Sequence, residues 1–228
     1  MALINFNDLQ PDFGHAQPLF AEALGTAVLV LASAGAGSAF GAVGGLAGGS
    51  ASLALAPGLS LLALVLLFGG VSQAHFNPAV SLGMALSGRL PLGRLLPYVA
   101  AQCAGALAAG MILRVLLRTS VLGTTSSAMP GLAALMVEAL LTFWLVWVYL
   151  SVTEKDVPLL NAALALGATL AGAIFWAGHL TGASMNPARS LGPALAAWDF
   201  SDLWIYLIGP CVGAVGAAMG YKWFKKLG

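Results

Sequence analysis

The sequence predicts an all-α membrane protein of six transmembrane helices and two re-entrant half-helices, folded as an inverted repeat of three spans. Four observations point there. The chain is 60% hydrophobic and 7% charged, against about 25% charged in an ordinary soluble domain. Stretches such as Ala51 to Gln73 carry no charge and exceed the ~20 residues needed to cross a bilayer. The tripeptide Asn-Pro-Ala occurs twice, as Asn77-Pro78-Ala79 and Asn186-Pro187-Ala188, each time soon after an apolar run. Finally, the halves echo each other: FAEALGTAVLV opens the first span and LMVEALLTFWLV the fourth.

Residues 1–16 form a polar tail without a basic n-region, so no cleaved signal peptide is expected and the first span itself serves as the membrane signal. His15 in this tail is assigned no role. Charge-free apolar runs between Gly, Pro and polar breaks give spans at about 18–40, 52–73, 93–117, 131–151, 160–179 and 202–224. The Gly-rich GAVGGLAGGS at 41–50 reads as the flexible extracellular loop between the first two. Two apolar stretches remain, Asn77–Leu86 and Asn186–Ala197. At about ten residues each they supply about 15 Å of helix, half the bilayer core. They cannot span, and they are too apolar for surface loops, so they read as half-helices lining an internal cavity. Asn is a strong N-cap and Pro is favoured at the first helical position, so each half-helix starts at its Asn-Pro pair. The whole chain, 1–228, is one channel domain, with repeat one at about 17–118 and repeat two at about 131–226. Three spans per repeat is an odd number, which inverts one half relative to the other and brings functional residues to the midplane.

Charge excludes several functions. A net charge of +1, with no basic cluster beyond Lys222, Lys225 and Lys226, gives no nucleic-acid footprint. Cys103 and Cys211 lie in apolar segments and read as packing residues, so no metal or cofactor is expected. No nucleophile–base pair or phosphate loop has supporting context, so the chain is not expected to be an enzyme. With both termini cytoplasmic, Arg89, Arg94, Lys155, Lys222, Lys225 and Lys226 lie inside and Arg114 and Arg118 outside, which follows the positive-inside rule.

The paired turns carry the chemistry. Opposed half-helices aim their N-termini, each with about half a positive charge and free N–H groups, at one point. Asn77 and Asn186 cap them and offer amide donors there. A neutral solute is then oriented oxygen-first, whereas a cation meets two positive dipole ends. Arg189 lies three residues after Asn186, one turn along the same face. A charge buried in a membrane costs at least ~2.5–3.5 kcal/mol, which marks it as functional, here as a cation barrier. Glu22 and Glu138 occupy equivalent places in the two repeats and are read as acceptors for the N–H groups of the re-entrant loops. His75 is read as a loop residue that satisfies backbone carbonyls while its own carbonyl faces the pore. A coupled secondary transporter would also use inverted repeats and broken helices. It needs more intramembrane ionisable groups than Glu22, Glu138 and Arg189.

These residues resemble the aquaporin, or major intrinsic protein, superfamily over essentially the whole length after residue 16. The likeness rests on AEALGT, HFNPAV, SMNPARSLGPA, Gln102 and Glu138. It implies an hourglass fold and a homotetramer in the plasma membrane, with one pore per monomer conducting water and small neutral solutes. Small faces such as Gly37 and Gly41, Gly209 and Gly213, and Gly216 and Gly220 suit close helix packing. The resemblance also implies a constriction built from four positions, which fall here on Pro57, Ile174, Ala183 and Arg189. Strict water channels carry a bulky aromatic at the first and a His at the second, so this filter should be wider and more apolar. Trp176 or His179 could replace Ile174 if the fifth span is shifted by a turn, and Pro57 could distort the second span. The pattern resembles the nodulin-26-like branch, whose members pass glycerol, urea or metalloid hydroxides such as arsenous or boric acid. Glycerol facilitators usually have Asp where this chain has Ser190. A strictly water-selective channel is the alternative.

Overall fold

The computed structural model describes residues 16–42, 49–118, 122–154 and 157–227, with side chains left out at 38–42 and 49–50. The tail with His15, Lys155 and most of the 41–50 loop therefore lie outside the described residues. Among the described residues there are eight α-helices: α1 Gln17–Ala42, α2 Gly49–Ser72, α3 Pro78–Leu86, α4 Leu92–Leu117, α5 Gly131–Val152, α6 Leu159–Thr181, α7 Pro187–Ala197 and α8 Leu203–Phe224. Six are long and apolar enough to cross a membrane. α3 and α7 have 9 and 11 residues, about 14 and 17 Å of helix, and stop half-way. The two spans flanking the Gly-rich loop run further into it than their composition suggests: α1 reaches Ala42 and α2 starts at Gly49. Pro57 lies inside a continuous α2, so it does not break that span.

The packing repeats. In the first half α1 packs on α2 and α4; in the second α5 packs on α6 and α8; α2 against α6 joins them, with α3 and α7 held inside. Contact distances explain the small residues. A Cβ on Gly105 of α4 would lie 2.0 Å from the Ala23 carbonyl of α1, and one on Gly213 of α8 would lie 2.1 Å from the Ala139 carbonyl of α5. Ala23 and Ala139 each follow one of the buried carboxylates, Glu22 and Glu138. Glycine at these crossings lets backbones approach as membrane helix pairs require. Gly209 also meets the α5 backbone, and Gly216 and Gly220 face the Phe143 and Trp147 rings of the same helix. Gly37 sits near Gly123 in the linker rather than against a helix.

On the side where α3 ends, a polar clasp ties three elements. Arg89 donates to the Leu150 carbonyl and to Thr153 Oγ1. Glu154 accepts from Lys225 Nζ at 2.7 Å and from Tyr221 Oη at 2.5 Å, and Lys222 reaches the Leu86 carbonyl at 2.6 Å. Partial burial works against ionisation of Glu154, but Lys225, Tyr221 and Arg89 outweigh it and hold the carboxyl below its ordinary value.

Candidate pore

Each re-entrant loop is a run of unusual backbone held by one carboxylate. Ala74 and Phe76 take φ of 52° and 50°, and Ala183 and Met185 take 44° and 53°. Left-handed φ at non-glycine residues is costly and persists only where the surroundings impose it. In the first loop, Glu22 Oε1 accepts from His75 N at 2.9 Å and Ser72 Oγ at 2.6 Å. Its Oε2 accepts from Phe76 N at 2.6 Å and Gln102 Nε2 at 2.7 Å. In the second, Glu138 Oε1 accepts from Ser184 N at 3.0 Å and Thr181 Oγ1 at 2.7 Å, and Oε2 from Met185 N at 2.8 Å. Every partner donates, so both groups fit as carboxylates. Tyr98 donates to the Ser72 carbonyl and Tyr206 to the Thr181 carbonyl, at 3.1 and 2.7 Å, closing the same figure twice.

The asparagines follow from the prolines. A residue before proline is pushed to extended backbone, and Asn77 and Asn186 have φ/ψ of −156°/119° and −146°/107°. Asn77 Oδ1 accepts from Ala79 N at 2.9 Å; Asn186 Oδ1 accepts from Ala188 N at 3.0 Å and Arg189 N at 3.2 Å. With each oxygen so used, each Nδ2 crosses to the other half: Asn77 to the Met185 carbonyl at 2.7 Å, Asn186 to the Phe76 carbonyl at 2.8 Å. An amide nitrogen has two hydrogens. One closes the strut, and one is left for whatever passes.

Comparison with known proteins agrees with this geometry. The profile of the major intrinsic protein family matches residues 11–221. This chain belongs to the major intrinsic protein family. It is 37% identical to aquaporin NIP1-4 of Oryza sativa subsp. japonica over 219 residues, covering 95% of this chain and 80% of the relative. It is 38% identical to aquaporin NIP1-1 of Zea mays over 214 residues, covering 90% and 74%. The fold matches the aquaglyceroporin from Plasmodium falciparum with a TM-score of 0.83 and 27% identity, over 90% of this chain and 95% of that one. The aquaporin hourglass is therefore the fold, and the chain is a multi-span membrane channel for water and small neutral solutes.

In this aquaporin a cavity of about 480 Å³ is lined by Asn77, Asn186, Pro57, Ile174, Ala183 and Arg189, among others. Pro57 and Ala183 are buried, Ile174 and Arg189 partly so. Of the two alternatives to Ile174, His179 also lines the cavity, whereas Trp176 is 50% exposed and is not part of the wall. Arg189 Nη1 donates to the Gly123 carbonyl at 3.0 Å, which fixes the guanidinium against the linker between the halves. Ser190 anchors the same linker: Thr125 Oγ1 donates to Ser190 Oγ at 2.8 Å, and Ser190 meets Ser184 Oγ at 2.6 Å. Ser184 in turn donates to the Asn186 carbonyl at 3.0 Å.

His75 differs from its sequence reading. Its Nδ1 pairs with Ser81 Oγ at 3.1 Å, a side chain and not a backbone carbonyl. Ser81 Oγ also accepts from Gln102 Nε2 at 2.9 Å. Nε2 is buried and has no partner in the protein, and His75 contributes to the cavity wall. Sequence reasoning also missed Leu53, Ser33, Gly123 and Thr124, all in the wall. Leu53 and Ser33 were visible as a residue one turn before Pro57 and a hydroxyl in a span. The linker pair carried no signal, because its place depends on Arg189 reaching it.

Proposed function

We propose that the pore passes small uncharged solutes larger than water, including glycerol, urea and metalloid hydroxides such as arsenous or boric acid, and excludes protons and ions. The observation that carries this reading is one cavity whose wall combines amide and guanidinium donors, at Asn77, Asn186 and Arg189, with the unobstructing Pro57, Ile174 and Ala183. Donors orient a solute oxygen, while the absence of a bulky ring at Pro57 and Ile174 leaves room for more than water. Arg189 and the two half-helix N-termini repel cations. Glu22 and Glu138 act as scaffold. Each carboxylate oxygen already accepts hydrogen bonds, which argues against proton loading in a coupled transporter and for a passive conduit without a catalytic step. The chain resides as a homotetramer in the plasma membrane with both termini cytoplasmic. The clasp of Arg89, Lys222 and Lys225 then lies inside, in line with the positive-inside rule.

The test is to refill the gap. The Pro57→Phe, Ile174→His double variant should choke glycerol and arsenous acid while water still crosses. The quantity measured is the ratio of solute to water permeability in proteoliposomes. An unchanged ratio in a folded variant overturns the role given to Pro57 and Ile174, and a parent impermeable to every solute but water leaves a strictly water-selective channel.

A further inference from the structure

In an α-helix the N–H of residue 57 would bond the carbonyl of residue 53. Proline has no N–H, so Pro57, inside the continuous helix α2, leaves the Leu53 carbonyl without its helical partner. The position of that vacancy matters. Leu53, Pro57 and Leu61 recur every four residues on one face of α2, and all three line the cavity. A carbonyl points along the helix axis towards the residue four positions on, so the unpaired oxygen lies on the stripe that forms the cavity wall. Arg189 lines the same cavity. It spends one N–H on the Gly123 carbonyl, and a guanidinium carries five.

We propose that the Leu53 backbone carbonyl is a solute-binding acceptor in the filter, paired with the donors of Arg189, and that it favours small uncharged polyhydroxy solutes. A hydroxyl both accepts and donates. Its lone pair meets the guanidinium while its hydrogen, or that of a neighbouring hydroxyl, meets the Leu53 oxygen. The proline is thus more than a small residue that widens the filter, because it also makes part of the filter's wall polar. An aromatic or aliphatic residue in its place restores the helical bond and removes the acceptor.

This inference rests on the channel reading and is tested apart from it with Pro57→Ala. Alanine is smaller than proline and restores the N–H, so width and acceptor predict opposite signs. By width alone, the ratio of glycerol or arsenous acid permeability to water permeability rises. With the acceptor lost, it falls about two- to tenfold, the worth of one net hydrogen bond. Ile174→Ala is the companion variant: it widens the same cavity without touching the carbonyl, and its ratio holds or rises. Alanine is a better helix former than proline, so Pro57→Ala should fold, and its water flux reports that it has. A ratio that holds or rises in Pro57→Ala overturns the inference, as does an equal fall in both variants. A parent with no flux above empty vesicles overturns the channel reading instead.

Discussion

Replacing either buried carboxylate by its amide separates the two repeats, although their sequences look alike around it. Glutamine keeps one acceptor oxygen and puts an NH₂ where the second was. At Glu138 the oxygen can stay with Thr181 Oγ1 and Ser184 N, so the NH₂ faces Met185 N alone. At Glu22 each oxygen serves two donors, so either rotamer confronts two N–H or O–H groups with an NH₂. An orphaned buried donor costs about 1–3 kcal/mol. Glu138→Gln should therefore lose about 1–3 kcal/mol and Glu22→Gln about 2–6 kcal/mol. For a chain of this size each kcal/mol moves the midpoint by about 2–4 °C. Thermal unfolding of the purified proteins in detergent, followed by tryptophan fluorescence, should show a fall in Glu22→Gln about twice that in Glu138→Gln. Glu138→Leu orphans three donors, about 3–9 kcal/mol, and should yield little folded protein. Equal losses in the two amide variants would refute the donor count, and lost solute flux in a stable Glu138→Gln would make that carboxylate more than a scaffold.

Further outcomes follow from other contacts. Arg189→Val should leave neutral flux in place and raise cation leak by up to about 10³-fold, since a unit charge 4 Å away at an effective dielectric of 20 is worth about 4 kcal/mol; a variant as ion-tight as the parent assigns the barrier to the helix dipoles. Thr125→Val should loosen the linker carrying Gly123 and raise leak less than Arg189→Val, with Thr125→Ser restoring the parent value; vesicle proton-flux measurements decide it. Glu154 has a folded value held below its ordinary 4.5, so the clasp stabilises fully above that value and its contribution is lost as pH falls through the lowered one. Melting midpoints of the parent and Glu154→Gln should differ at pH 7 and converge as pH drops below 4.5; a gap that persists in acid contradicts the ionic origin of the clasp.

The fold was legible because its strongest signals are local. Length and absence of charge mark the spans, and Asn-Pro marks where each half-helix begins. Glu22 and Glu138 stood out because a carboxylate in an apolar repeat must have partners. Relations between the halves were not legible. The struts from Asn77 to Met185 and from Asn186 to Phe76 join residues 108 and 110 apart, and no local pattern announces them. His75 was misread because a loop histidine usually finds a carbonyl, whereas Ser81, one turn into α3, sits within reach here. The helical ends at Ala42 and Gly49 were hidden by glycines, which read as loop by propensity but remain helical here.

The most direct test of a passive, ion-excluding conduit is made on the unaltered protein in proteoliposomes, with arsenous acid uptake and proton flux recorded on the same vesicles. The account predicts uptake linear in the solute gradient, indifferent to an imposed pH gradient, and proton flux no greater than in empty vesicles. Uptake that accumulates solute against its gradient when a pH gradient is applied, or a proton current through the protein, would contradict it.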